Sequence, residues 1–412
     1  MAERVPALDR SVGRVLANDN CSGCGACELI SARIGMELSP DGYQRPRLST
    51  GSVVDRASDR REAALFDRVC PGKRIMAPRV EGAEHEIFGR YVSVWEGYAR
   101  DDTTRFMGSS GGVITAMTEW MLKSEIVNQI TGSAAKPTRP TTTVPVTIMT
   151  RAEALESAGS RYGPVANLAG WKTGDPRVGL VGKPCEVSAA SQLQDALGID
   201  ASDRPVLLSF FCAGTPSQFA TDALVRQLGV DPGAAVSMKY RGGGWPGTFE
   251  VSDGATTGSL SYDESWGKHL GRQLQQRCKI CVDGTGAHAD IAVGDYWMAD
   301  ENGYPLFEEG AGNSVVIART QRGHELLQQA ALAGAIAIMP LELDRVRPVQ
   351  PLQVKRKLTL VGRLLGRRLA GKAVPKYAGY GLLRLALRNP ANTARAALGT
   401  FRRSLRRSAD NR

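Results

Sequence analysis

The chain has 412 residues, which is enough for more than one domain at about 150 residues each. Hydrophobic residues make up 42% and charged residues 23%, a composition that excludes a disordered or collagen-like protein. The longest apolar stretch, residues 330–339, is much shorter than the roughly 20 residues of a membrane-spanning helix. Because residues 1–4 do not begin a secretory signal, we expect a cytoplasmic protein.

The first 85 residues contain scattered glycine, proline and serine and show little periodicity, so we expect a small loop-rich domain there. Strand and helix patterns then alternate. Strands are predicted at 91–95, 178–181, 206–211, 290–293 and 314–317, and helices at 113–123, 187–197, 218–228 and 323–332. This alternation predicts an α/β fold with a mostly parallel sheet. Residues 136–143, rich in proline and threonine, are predicted to form a surface loop.

Four of the eight cysteines lie near the N-terminus, and disulfides are not expected in a reducing compartment. Cys21, Cys24 and Cys27 form a C-x-x-C-x-x-C run, and Cys70 precedes a proline, which is typical of bacterial 4Fe-4S ferredoxins. The small residues between them let the backbone turn tightly around a cluster. The sequence therefore predicts one 4Fe-4S cluster, with zinc or a bare loop as the alternative.

The other four cysteines point to a second cluster. Cys185 and Cys212 follow the predicted strands 178–181 and 206–211, and the carboxyl ends of adjacent parallel strands meet at one sheet edge. Cys278 and Cys281 add a C-x-x-C pair, which completes a second set of four ligands. The alternative for a single cysteine after an apolar strand is a small buried hydrophobe.

Basic residues are concentrated at the other end of the chain. Residues 355–412 contain 16 lysines and arginines and one acid, so this segment carries +15 and the remainder −5 of the total +10. Leucines at helical spacing within 361–369 and 382–387, with arginines on other faces, predict short basic amphipathic helices. They favour an anionic membrane surface or an acidic protein partner over nucleic acid, and a helix packed on the body is the alternative.

These motifs, in this order, resemble the beta subunits of coenzyme F420 hydrogenases and dehydrogenases. The matching segments, between about residues 92 and 340, are 109–113, 160–162, 182–187, 211–212, 241–245, 278–281 and 289–297. The resemblance implies an FAD enzyme that passes electrons between iron-sulfur clusters and a reducible substrate or the deazaflavin coenzyme F420. Relatives include reductases of chlorophyll intermediates, so the resemblance does not fix the substrate.

The resemblance also divides the chain. We expect a ferredoxin-like domain at 1–85, the reductase core in two parts at 86–175 and 176–345, and a basic helical tail at 346–412. A glycine- and serine-rich turn opens the predicted helix 113–123, where free backbone amides favour a diphosphate. With the resemblance, the predicted FAD contacts are Gly108, Ser109, Ser110, Gly111, Gly112, Arg161 and Tyr162.

Four further residues are predicted near the reacting groups. Lys183 and Glu186 depart from the family pattern, in which threonine and glutamine are expected, and Lys183 places a cation near the presumed cluster and flavin. Arg241 and Trp245 are predicted to hold an anionic substrate or stack on a ring, with a packed surface loop as the alternative. Asp295 is predicted to orient a cofactor, although capping a turn is the commoner role.

The leading hypothesis is an oxidoreductase with two 4Fe-4S clusters and FAD, fed by ferredoxin or a partner subunit. Two alternatives stay open. One is an electron-relay subunit without its own substrate, and the other is a zinc-stabilised binding module with a basic tail. The four histidines form no H-x-x-x-H or H-E-x-x-H pattern, so catalytic zinc is not expected.

Overall fold

The computed structural model describes residues 5–49, 55–298, 306 and 310–410. Its α-helices are α1 (Ala7–Ala17), α2 (Arg56–Val69), α3 (Asp102–Met107), α4 (Val113–Lys123), α5 (Arg151–Glu156), α6 (Pro184–Leu197), α7 (Gln218–Gln227), α8 (Gln276–Lys279), α9 (Gln321–Leu332), α10 (Leu343–Val349), α11 (Pro351–Leu369), α12 (Leu382–Arg388) and α13 (Pro390–Asp410). Its strands are β1 (Ile34–Leu38), β2 (Gln44–Leu48), β3 (Arg74–Met76), β4 (Ala83–His85), β5 (Gly89–Tyr91), β6 (Ser93–Ala99), β7 (Gln129–Lys136), β8 (Arg139–Ile148), β9 (Val178–Gly182), β10 (Val206–Phe210), β11 (Ser237–Lys239), β12 (Thr248–Ser252), β13 (Thr257–Ser261), β14 (Ile291–Asp295), β15 (Ser314–Ala318), β16 (Ile336–Pro340) and β17 (Lys376–Ala378).

An eight-stranded sheet forms the centre of the molecule, in the order β16-β6-β15-β14-β10-β9-β7-β8. The middle strands β14, β10, β9 and β7 pair in parallel, and the flanking pairs are antiparallel. Because β6 is antiparallel to β15, which is antiparallel to β14, five strands run in one direction. The predicted α/β fold with a mostly parallel sheet is confirmed.

Helices cover both faces of this sheet. Along β10, Val206 and Leu208 pack with α4 and α9 on one face, whereas Leu207 packs with α6 on the other. The same second face receives Cys24 and Val69 from the N-terminal segment. The period-2 alternation of the strand therefore places the cysteine-rich segment directly against the central sheet.

Most predicted elements of the core agree with the structure. Helix α4 spans the predicted residues, and β9, β10 and β15 begin where the sequence indicates. Helix α6 starts earlier than predicted because Pro184 occupies its first turn, where a missing N–H removes no helical hydrogen bond.

The predicted surface loop at 136–143 is wrong. These residues belong to the hairpin of β7 and β8, and Thr141 and Thr143 are buried. Pro140 does not prevent strand formation because β8 is the edge strand of the sheet, where one side needs no donors. The threonines have the β-branched side chains that favour strands.

The N-terminal segment contains two helices that the sequence did not indicate. Leu8, Val12 and Val15 of α1 pack against Phe66 of α2 in a small core of their own. The Asp59 carboxylate accepts hydrogen bonds from the first backbone amides of α1, with the Ala7 amide at 2.6 Å. Because α2 contains many charged residues, its short apolar stripe was not recognised in the sequence.

The first part of the basic tail is packed on the body, as the alternative interpretation has it. Gln353, Arg356, Lys357 and Arg367 of α11 are all buried, and β17 pairs in parallel with β3 of the N-terminal segment. Helix α13 packs along α11. No helix in the described part of the chain is both long and apolar enough to cross a membrane.

The contact between α11 and α13 gives a stability prediction. A side chain at Gly366 would overlap the carbonyl oxygen of Ala397, so Gly366→Val should cost about 1–3 kcal/mol in the free energy of unfolding. Gly13→Ala in α1, where nothing lies within 4 Å, is the matched control and should gain about 0.5–1 kcal/mol. Urea unfolding measures both changes, and equal stability of the two variants would contradict this packing.

Candidate functional site

A cavity of about 380 Å³ lies at the carboxyl edge of the parallel strands. Val181 of β9, Phe210 of β10 and Asp295 of β14 line it. Ligands of α/β proteins bind at this edge, and pockets for small molecules usually measure about 300–1,000 Å³. The position and size of the cavity therefore suit a cofactor or substrate.

The glycine- and serine-rich turn forms one wall of the cavity. Gly108, Ser109, Ser110 and Gly112 line it, whereas Gly111 lies behind and its amide donates to the Ser314 hydroxyl at 3.0 Å. Gly112 precedes α4 with φ of +73°, and a Cβ there would lie 2.8 Å from the Thr104 carbonyl oxygen. The glycine- and serine-rich turn therefore directs the N-terminal end of α4 towards the cavity.

Aromatic side chains form another wall: Tyr162, Phe211, Tyr262, Trp266 and Trp297. Trp245, predicted at the site, lies behind this wall instead. Its ring stacks on that of Trp297, with 4.7 Å between centroids and 20° between planes. Trp245 therefore supports the wall and does not line the cavity.

Arg241 and Asp295 form a buried ion pair. The two terminal nitrogens of Arg241 lie 2.8 and 3.1 Å from the Asp295 carboxylate oxygens, and its Nε donates to the Pro246 carbonyl at 2.6 Å. The guanidinium carbon lies 4.7 Å from the centroid of the Tyr262 ring. Both charges are thus satisfied by protein groups, and the pair holds the aromatic wall in place.

Arg161 also lines the cavity, but its nitrogens are engaged. They donate to the carbonyl oxygens of Met238, Pro140 and Thr142, with the shortest distance 2.7 Å. Arg161 therefore connects β8 to β11 through hydrogen bonds to their backbone. Tyr162 lines the cavity too, and its ring centroid lies 4.8 Å from that of Trp266.

Lys183 and Glu186 compensate each other. Both are buried, and the Lys183 Nζ lies 2.6 Å from Glu186 Oε1 and donates to the Val165 carbonyl at 2.9 Å. Burial lowers the pKa of Lys183, but the Glu186 carboxylate, together with Cys185 and Cys212, more than offsets burial, and the net shift is upward. The cation that the sequence places near the site is therefore neutralised locally.

The N-terminal cysteines converge. Cys21, Cys24, Cys27 and Cys70 line one small apolar cavity of about 20 Å³. Gly25 permits this, because a Cβ there would lie 2.6 Å from the Ala169 amide nitrogen.

These thiols are strongly desolvated. Burial raises the pKa of Cys24 to about 11, and it raises the pKa of Cys27, whose neighbours Cys24, Cys21 and Cys70 add to the shift. Without a bound cation the four groups stay protonated at neutral pH. Thiolate ligands here would need the charge of a metal centre.

The later cysteines also come together. Burial, followed by the nearby Cys278 and Cys281 thiols, raises the pKa of Cys212 to about 12. Burial raises the pKa of Cys185, and both Cys24 and Cys212 contribute to that shift. Cys185 is therefore the member of the second set that lies near Cys24 of the N-terminal set. Cys212 lines the large cavity.

Neither set has the geometry of a closed single-ion site. In the described residues, no three histidine, cysteine, aspartate or glutamate side chains converge closely enough to hold one metal ion. Tetrahedral zinc requires such convergence at about 2.0–2.3 Å per ligand. The four ligands of a 4Fe-4S cluster each bind a different iron atom, so they can stand further apart.

Two basic residues near the cysteines were not identified from the sequence. Arg356 of α11 donates to the Cys212 carbonyl at 2.8 Å. Arg277 is buried and donates to the Pro71 carbonyl at 3.0 Å. Their partners are distant in the chain, and only the adjacency of Arg277 to Cys278 hinted at a role.

Comparison with known proteins identifies the family. Residues 94–171 and 175–344 match the N-terminal and C-terminal models of the coenzyme F420 hydrogenase/dehydrogenase beta subunit. The chain belongs to this family. The family consists of oxidoreductase subunits, and the predicted resemblance is confirmed.

Individual relatives agree with this assignment. The coenzyme F420 hydrogenase beta subunit of Methanococcus voltae is 24% identical over 298 residues, covering 70% of this chain and 99% of that subunit. The Methanosarcina barkeri subunit is 25% identical over 287 residues, covering 67% and 89%. A chain of the xenon-derivatised F420-reducing NiFe hydrogenase complex from Methanosarcina barkeri superposes with a TM-score of 0.51 and 21% identity, covering 66% of this chain and 91% of that one.

The Lys183–Glu186 pair gives a second prediction. Lys183→Thr or Glu186→Gln alone leaves one buried charge unpaired and should cost about 3–5 kcal/mol of stability. The double variant removes both charges and should recover most of that loss. Denaturant unfolding of all four proteins measures the coupling, and additive losses would show that the two charges do not compensate each other.

Proposed function

We propose that the protein is an iron-sulfur flavoprotein oxidoreductase. It takes electrons from a donor protein such as ferredoxin or a partner subunit, and passes them through two 4Fe-4S clusters and FAD to a reducible substrate or to coenzyme F420. The observation that carries this proposal is the position of Cys212. This residue belongs to the second cysteine set and also lines the cavity at the sheet edge.

Two features of the cysteine sets support clusters. Each set has four thiols, and burial disfavours the ionisation of Cys24 in one set and of Cys212 in the other unless a cationic centre binds. The backbone amide of Thr215 lies 3.4 Å from the Cys278 sulfur, which is the kind of N–H···S contact that stabilises a cluster thiolate. Cys185 of the second set lies near Cys24 of the N-terminal set, so electrons would have a short path between the two sets.

The cavity suits FAD. The turn from Gly108 to Gly112 would receive the diphosphate at the first turn of α4, where backbone amides have no helical partners. The aromatic wall built around Tyr262 and Trp297 would pack against the ring system. When bound, a flavin supplies the exchange between single-electron and two-electron transfer.

The chain's own residues would bind and orient these groups. The Arg241–Asp295 pair, which also lines the cavity, would hold Tyr262 and Trp297 in place, and because its two charges neutralise each other it would present no free charge to a substrate. Lys183 also lines the cavity, and its contact with Glu186 keeps that side electrically neutral. A cavity of this size favours an enzyme over a relay subunit without its own substrate.

The partner surface is assigned to the C-terminal helices. Leu383 and Leu387 of α12 are 70% and 73% exposed and share one helix face at i, i+4 spacing, while Leu369 of α11 is 63% exposed. Exposed leucines beside a segment of strongly positive charge match an anionic bilayer surface better than a purely acidic protein face.

The cluster proposal predicts separable losses of iron. After anaerobic purification the wild type should contain about eight iron atoms and one FAD, since two 4Fe-4S clusters are expected. Cys24→Ala and Cys281→Ala should each halve the iron and leave the flavin, because they belong to different sets.

Metal, sulfide and flavin analysis with visible spectra measure this, and Ala333→Ser, an exposed position outside both cysteine sets and the large cavity, is the control. A colourless, zinc-loaded protein without flavin would support the binding-module alternative. Clusters without flavin would support the relay subunit.

The membrane proposal predicts loss of vesicle binding. Leu383→Ser with Leu387→Ser should lower the affinity for phosphatidylglycerol vesicles at least tenfold, because each leucine loses apolar burial of about 1.5–3 kcal/mol when fully inserted. Leu332→Ser on α9, 89% exposed, is the matched control and should bind like the wild type.

Binding should also weaken from 0.1 to 1 M salt, because the Debye length falls from about 10 to about 3 Å. Cosedimentation measures both effects. Salt-independent binding, or binding to ferredoxin alone, would contradict the membrane assignment.

A further inference from the structure

Arg277 lies between the two cysteine sets. Its side chain is buried, with 2% of the residue exposed. One terminal nitrogen donates to the Pro71 carbonyl at 3.0 Å, directly after Cys70, and the other donates to the Ile280 carbonyl at 3.4 Å, between Cys278 and Cys281. A single guanidinium thus ties the backbone of one motif to that of the other.

The electrostatic surroundings of Arg277 are unusual for a buried cation. Burial lowers its pKa, but the Tyr377 phenol and the thiols of Cys281, Cys185 and Cys278 outweigh burial, so the net shift is upward. Burial raises the pKa of Cys21 and Cys70 in the other set, and Arg277 is among the groups that oppose this rise. The two backbone hydrogen bonds of Arg277 therefore hold its charge beside ligands of both sets.

One donor of the guanidinium is left over. The Nε of Arg277 is buried and has no hydrogen-bond partner in the described part of the structure. A buried unpaired donor carries a desolvation penalty and indicates a missing acceptor. Cluster sulfide or thiolate sulfur between the two motifs would be such an acceptor.

Other basic residues near the cysteines serve one set each or are neutralised. Arg45 acts on Cys21 of the N-terminal set, and Arg356 acts on Cys212 of the second. Lys183 is paired with Glu186. Among these four side chains, Arg277 is the one that hydrogen-bonds to the backbone of both motifs.

We propose that Arg277 is a positioning residue that supplies one fixed positive charge to both clusters and so raises the reduction potential of each. In the transfer, one electron leaves the donor cluster, which is oxidised, and enters the acceptor cluster, which is reduced. No bond forms and no proton moves, since a guanidinium keeps its proton. The shared charge stabilises the added electron at either end of the step.

This inference rests on the proposed function, and its test keeps the two apart. Wild type, Arg277→Gln, Arg277→Lys and Arg45→Gln are purified anaerobically, their iron and sulfide are measured, and their cluster potentials are determined by EPR-monitored redox titration. A wild type without clusters contradicts the proposed function itself. A wild type with both clusters allows the variants to decide the role of Arg277.

In Arg277→Gln both clusters should become at least tenfold harder to reduce, a shift of about 59 mV for a one-electron couple. Arg277→Lys keeps the charge and should restore both potentials, whereas Arg45→Gln should shift the N-terminal cluster alone. Unchanged potentials in Arg277→Gln, or equal shifts in Arg277→Lys, would overturn the proposal.

If Arg277→Gln does not fold, the cluster potentials of Arg277→Lys and Arg45→Gln still test the proposal. A tenfold shift in Arg277→Lys, or an Arg45→Gln protein that shifts both clusters or neither, contradicts the assignment. A purely structural role predicts lower stability and the same potentials. Thermal unfolding of each variant, recorded beside the titration, separates that result from the one expected here.

Discussion

The parallel pairing of β9 and β10 determines where the candidate site lies. In their register Gly182 lies beside Ser209, so the chain leaves both strands at one edge of the sheet. Cys185 and Cys212 follow these strand ends and come together without a long loop to guide them. The cavity opens at the same edge, so Cys212 is shared between it and the second cysteine set.

A second constraint is the burial of ionisable groups beside this edge. The N-terminal segment docks on the face of the sheet covered by α6, and the Leu168 amide donates to the Cys24 carbonyl at 3.1 Å. Docking desolvates the thiols and brings Cys24 close to Cys185. The two buried cations are neutralised differently. Lys183 has a carboxylate partner, whereas Arg277 lies near the Tyr377 phenol and cysteine thiols.

Sequence patterns predicted the parts that depend on neighbours in the chain. The strand-end positions of Cys185 and Cys212 follow from apolar runs, and glycine content marked the turn before α4. The ion pair between Arg241 and Asp295 could not be predicted, because its partners are 54 residues apart and meet only through the fold.

The loop predicted at 136–143 was wrong for a physical reason. A proline- and threonine-rich run forms the edge strand β8 because an edge strand tolerates Pro140. The basic C-terminal segment is partly internal, since Arg356 of α11 bonds to the Cys212 carbonyl. Long side chains can bury their stems and direct their charge to backbone oxygens, which a net-charge count does not register.

The central claim is that two iron-sulfur clusters lie in line with the cavity, one in each cysteine set. Anomalous diffraction at the iron absorption edge, from crystals grown without oxygen, tests it most directly. The account predicts two iron peaks, one enclosed by Cys21, Cys24, Cys27 and Cys70 and the other by Cys185, Cys212, Cys278 and Cys281. A single peak, or peaks that appear at the zinc edge and not at the iron edge, would contradict it.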